Sequence, residues 1–144
     1  MRLKFIIVFT FFLCGVSIHI FAGEQQYIRA EFMETDVAQK KWGDKKFIPE
    51  VFKKNLPEER ATMASDLIKQ QHYIGKNLSY VKDQLGTPDG FFFTDSIPAY
   101  QIELYTEKKK EAWQIVFLPD ESHPEKIGAV KIHKKCCYKE EKLP

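Results

Sequence analysis

An excess of charge of either sign is missing from this chain. Its 144 residues carry 22 Lys and Arg against 20 Asp and Glu, and two of the basic residues, Arg2 and Lys4, stand at the extreme N-terminus. Without them the balance is even, 20 against 20. A nucleic-acid partner needs a concentrated basic face to neutralise phosphates, so this balance excludes one. Solenoid-length internal repeats and low-complexity tracts are absent too, which excludes repeat arrays and linker-like chains. Catalytic signatures are equally scarce. Gly75-Lys76 is not a phosphate loop, because Gln70 stands where its first glycine belongs and Asn77 where its Ser or Thr belongs. His72, His123, Asp120 and Glu121 fall in no nucleophile or metalloprotease pattern. The reading is a non-enzyme with no cofactor.

What is present begins at the N-terminus. Met1-Arg2-Leu3-Lys4 is a basic opening, Phe5 to Val16 is an almost unbroken apolar run, and no charge appears until Glu24. This is the pattern of an export signal over residues 1–22, with cleavage after Ser17 or Ala22. The alternative is an uncleaved inner-membrane anchor over residues 5–22, weakened by Thr10, Ser17 and His19. Cys14 follows Phe11, Phe12 and Leu13 where a lipidation signal has small residues, so it reads as part of the apolar run. The expected location is periplasmic or secreted, with membrane contact only if the segment stays uncleaved.

Residues 23–54 show no clear period and read as a mobile or loosely docked arm, with Pro49 marking a turn or a helix start. A helix is expected from Pro57, capped by Asn55 and helped by Glu58 and Glu59; Met63, Ala64, Leu67 and Ile68 form its apolar stripe and Gly75 its end. A short second helix follows from about Tyr80 to Leu85, capped by Ser79 and stopped by Gly86 and Pro88. Asn77-Leu78-Ser79 is formally a glycosylation triplet, but both polar residues already serve as helix-start residues. After Pro98 the period changes to two. Tyr100, Ile102 and Leu104, then Trp113, Ile115 and Phe117, then Gly128, Val130 and Ile132 give three consecutive strands with short polar connections. Phe91-Phe92-Phe93 adds an edge strand or a cover. The fold class is α+β: two helices packed on a three- to four-stranded antiparallel meander over residues 55–133, followed by a basic, cysteine-bearing tail over 134–144.

Gly75, Val81, Leu85, Gly86, Pro88 and Asp89, lying in a helical pair that leads into a meander, resemble the pattern of the SmpA/OmlA family. These are the small outer-membrane assembly lipoproteins also called BamE. The resemblance implies a two-layer α+β fold, also similar to that of β-lactamase inhibitor proteins, and a non-catalytic accessory role in the cell envelope. That family is usually lipidated near its N-terminus, and this sequence shows no acceptable lipidation signal around Cys14.

Two groups are candidates for function. Phe91, Phe92, Phe93, Tyr100, Tyr105 and Trp113 could form an aromatic docking surface, since three successive strand residues cannot all face one core. Cover by the N-terminal arm is the competing explanation. His133, Cys136 and Cys137, among Lys134, Lys135 and Lys139, form a thiol-imidazole cluster that suits a soft metal or redox chemistry. Its spacing is not that of a zinc finger, and a solvated tail with oxidisable cysteines explains it as well. The expectation is therefore an exported protein-protein interaction or assembly module whose partner is another envelope protein. A soluble inhibitor or ligand-binding protein, and a thiol or metal protein, are the alternatives.

Overall fold

The computed structural model describes residues 30–135; the proposed leader, Cys136 and Cys137 lie outside them. In chain order the elements are β1 (Phe32–Met33), α1 (Thr35–Trp42), α2 (Pro49–Lys54), α3 (Pro57–Gln70), α4 (Leu78–Leu85), β2 (Gly90–Phe92), β3 (Thr94–Glu103), β4 (Ala112–Pro119) and β5 (Ile127–Lys135). The strands form one sheet in the order β1-β5-β4-β3-β2, and every pairing is antiparallel. The α+β class and the meander of β3, β4 and β5 follow the sequence reading. The sheet has five strands, one more than the upper expectation, because β1 adds to the outer edge of β5.

Strand alternation decides which side chains reach the helices. Tyr100, Ile115, Phe117 and Ile132 point to one face and are fully buried there against Phe52, Ala64, Leu67, Val81 and Leu85. Each large apolar side chain so buried contributes roughly 1.5–3 kcal/mol. β4 is the central strand and is buried on both faces from Ala112 to Phe117.

Residues 30–54 are not a loosely docked arm. They supply β1, α1 and α2, and they place Ala38, Phe47 and Phe52 in the main core. The domain spans at least 30–135 and not 55–133, and Lys134 and Lys135 belong to β5, not to a tail. The isolated reading of this stretch failed because its periodicity is short. Phe52 is buried within a six-residue helix, too little for a stripe to show.

Helix ends also differ from expectation in an instructive way. Asn55 closes α2 and does not cap α3, whose first turn instead carries Pro57, Glu58 and Glu59. α3 ends at Gln70 with Gln71 left-handed, five residues before the expected stop at Gly75. Gly75 adopts φ +74° and donates its N–H to the Ile127 carbonyl at 2.8 Å, while the Lys76 carbonyl accepts from Ile127 at 2.9 Å. The glycine therefore fastens the α3–α4 connection to β5. α4 begins at Leu78, so Ser79 lies inside it. No side chain caps it; the Leu78 N–H donates to the Glu125 carbonyl at 3.2 Å, and a neighbouring loop satisfies the orphan amide. Gly86 ends α4 as expected, at φ +82°, with its N–H on the Lys82 carbonyl at 2.8 Å.

Candidate functional site

The six aromatic residues singled out above do not gather on one surface. Tyr100 is fully buried in the main core, and its hydroxyl donates to the Gly86 carbonyl at 2.8 Å. Burial raises its pKa, so it stays a neutral donor. Trp113 is also buried, edge-on to Trp42 at 6.3 Å, with the ammonium groups of Lys41 and Lys134 at 5.3 and 5.7 Å from its ring. Tyr105 stands exposed in the β3–β4 connection, away from strands. Phe91 points to the helix side of the β2 edge, while Phe92 and Phe93 belong to the opposite side of the sheet. One register break separates them: pairing with β3 shifts between Phe91 and Phe92, and Phe93 takes φ +58°.

That opposite side is largely covered by this chain, although Phe93 itself is 52% exposed. β1 and β2 are the two edges of the sheet, roughly 19 Å apart if it were flat, yet the rings of Phe32 and Phe92 approach to 6.2 Å. The edges curl over Ala99 and Val116, and His133 sits beneath with its ring 5.6 Å from Phe32 and 4.4 Å from Phe92. Its Nδ1 is 3.2 Å from the Gln114 amide nitrogen. The imidazole is thus already engaged inside an aromatic clamp. Cys136 and Cys137 lie outside the described residues, and among those described no three His, Cys, Asp or Glu side chains gather as a metal site would require.

Burial depresses the pKa of His133 below its ordinary 6.5, with nearby Glu31 opposing the shift. The unfolded chain therefore takes up this proton first. Stability is complete above about pH 6.5, falls as the pH drops below it, and levels off once the folded imidazole also protonates. The expected melting temperature declines as the pH falls from about 7 through about 6.5, and His133→Phe removes that decline. A wild-type profile flat across this window would show that the ring is not enclosed.

Glu103 lies in the other ionic cluster, its side chain only 7% exposed. Burial alone would raise its pKa, but Lys41 and Lys109 outweigh that and the net shift is downward. The Lys41 ammonium stands 2.9 Å from Glu103 Oε2 and compensates its charge. Asp120 accepts the N–H groups of Ser122 and His123 at 2.9 and 3.0 Å, which lowers its pKa and fixes a turn. His72 reaches the Tyr80 hydroxyl at 3.3 Å. Each of these titratable groups has a local structural task.

A groove of about 610 Å³ lies at the β2 edge. Its floor is Gly86, Thr87 and Pro88; Lys53 of α2, Lys82 and Asp83 of α4, and Phe91 of β2 form its sides. Phe91 is 48% exposed, and the Lys82 ammonium lies 5.8 Å from its ring. Lys53 lays its stem over Gly86, where a Cβ would come within 3.1 Å of it, so the glycine keeps the floor open to the lysine. Neither Lys53 nor Lys82 has a carboxylate partner among the described residues. Asp89, behind the floor, accepts from Arg60 at 2.7 Å and from the Gln101 N–H at 2.9 Å, tying α3 to β3. The motif residues Val81, Leu85, Gly86 and Asp89 thus build the groove's support; Gly75 fastens the far end of α4. A second hollow, of about 380 Å³, lies beside Lys76, Ser79 and Tyr80.

Sequence reading missed Lys53 and Lys82. Lys53 falls in the stretch read as an arm, and the one available signal was Pro49-Glu50 ahead of Val51 and Phe52, a helix start. Comparison of the chain with models of known protein families, with characterised proteins and with solved structures gave no match.

Proposed function

We propose that this chain is an exported, non-catalytic envelope protein that docks another envelope protein through the groove between α2, α4 and β2. The observation that carries the reading is Phe91, an aromatic side chain left half-exposed beside two lysines without carboxylate partners, above the buried Val81 and Leu85 of α4. Exposed aromatic anchors flanked by charge are typical of the energetic centre of a protein interface. The charged opening and apolar run of the first residues support export, and the helices-then-meander order supports the resemblance to the SmpA/OmlA assembly proteins. No helix among the described residues is long and apolar enough to cross a membrane. Use of the opposite sheet face for inhibition or ligand binding has less support, because Phe32, Phe92 and His133 occupy it. A thiol or metal role has less support for the same reason at His133.

The test is a photoreactive amino acid placed at position 91, and at 105 as control, in the chain expressed in cells. The expected outcome is a discrete adduct with one envelope protein from position 91, reduced about tenfold by Lys53→Glu with Lys82→Glu. Equal adducts from both positions, indifferent to those charge reversals, would remove the groove as the docking site.

A further inference from the structure

The main chain of β2 says how a partner would enter the groove. Phe91 lies opposite Pro98 of β3, and proline has no N–H to give. The pair is therefore of the kind that exchanges no hydrogen bonds, and in an antiparallel ladder the N–H and C=O of such a residue point away from the neighbouring strand. Gln101 provides an independent check. Two residues beyond Ala99 its N–H must point the same way as that of Ala99, and it does so, donating to Asp89 Oδ2 on the β2 side at 2.9 Å. Ala99 thus pairs with Gly90, and Phe91 turns its donor and acceptor outward. By this parity neither is directed at β3. Along this edge stand Lys53, Lys82 and Asp83, leaving one net positive charge in the groove.

We propose that β2 accepts an extended acidic peptide segment of another protein as an added strand, main chain on Phe91 and acidic side chains on Lys53 and Lys82. This rests on the docking role assigned above to the groove and specifies its ligand. Side chains at alternate positions of an added strand point to the same side, so acidic residues at every second position face Lys53 and Lys82 in the groove, and the apolar ones between them turn to the opposite side of the sheet. A second copy of this chain is a poor occupant. Pairing β2 with its own symmetry mate would bring like-charged lysines together.

The experiment uses the full chain, isotope-labelled, with two synthetic capped peptides, Val-Glu-Val-Glu-Val and Val-Lys-Val-Lys-Val. Its readouts are the dissociation constant and the hydrogen exchange of the Phe91 amide. The glutamate peptide is expected to slow that exchange by about tenfold or more, the lysine peptide to leave it unchanged, and Lys82→Glu to weaken glutamate-peptide binding by about tenfold. Lys82 is exposed on α4, so its reversal leaves the fold intact; matching spectra elsewhere confirm this. Equal binding of both peptides, or binding of neither at millimolar concentration, overturns the proposal. So does glutamate-peptide binding without protection at Phe91. Protection that rises with protein concentration alone assigns the edge to a second copy and also overturns it. If the peptide fails while position 91 still yields its charge-sensitive adduct in cells, strand addition falls and docking stands. If both fail, the two readings fall together.

Discussion

Phe52→Ala is expected to lower the unfolding free energy by about 3–5 kcal/mol, the range for deleting a fully enclosed aromatic ring. Phe52 has no exposed surface; its ring meets Phe47 at 5.8 Å and Tyr100 at 6.1 Å, with the Arg60 guanidinium 5.3 Å above it. α2 is only six residues long and could not persist alone, so this ring is what holds the helix on the domain. Removing it opens a void that Tyr100 and Phe47 cannot close without breaking their own contacts. Against the roughly 5–15 kcal/mol that separates a typical domain from its unfolded state, such a loss leaves little. Urea denaturation of the wild type and variant reads it directly. A loss below about 1 kcal/mol would mean that α2 only rests on the surface.

Asp89→Ala is expected to cost about 2–3 kcal/mol. One carboxylate oxygen receives both Arg60 Nη1 at 2.7 Å and the Gln101 N–H at 2.9 Å. Arg60 in turn donates Nε to the Phe52 carbonyl at 3.0 Å, so α2, α3 and β3 meet through Asp89 and Arg60. The Arg60 side chain is 11% exposed, and truncating its partner strands a largely buried charge. Asp89 itself is 32% exposed, and solvent screening keeps the expected loss below that of a fully buried pair. Arg60→Met combined with Asp89→Ala should cost less than the two single changes added together, because the stranded charge is then absent. Simple additivity in urea denaturation would show that the two side chains do not act as a pair.

Legibility of the fold in the sequence depended on element length. The meander was visible because Tyr100 to Ile102, Trp113 to Phe117 and Gly128 to Ile132 alternate over enough residues for period two to stand out. α3 was visible from its stripe of Met63, Ala64, Leu67 and Ile68, and Gly86 from its place after Leu85. β1 was not legible, being two residues long and defined only by its pairing with Ile132 and His133. The caps were misplaced for a related reason. Asn55 and Ser79 are good cap residues in isolation, but α3 starts at Pro57 after Leu56 and α4 already at Leu78, whose amide goes to the carbonyl of Glu125, distant in sequence. The aromatic surface was misjudged because the break between Phe91 and Phe92 and the positive φ of Phe93 send neighbouring rings to opposite faces. Alternation correctly said that the three rings could not share a core. Which of them stays exposed beside a lysine depends on α2 and α4, and no local pattern contains that information.

The groove exists only if α2, with Lys53, is as firmly held as the sheet it faces. Native-state hydrogen exchange compares the two within one sample. The Phe52 amide donates to the Ile48 carbonyl at 2.9 Å inside α2, and Ile132 lies in the β4–β5–β1 ladder. The account predicts that both amides exchange through the same global unfolding, with matching free energies and a matching response to denaturant. A Phe52 amide that exchanges freely while Ile132 stays protected would contradict it, and the groove would then lack its α2 wall.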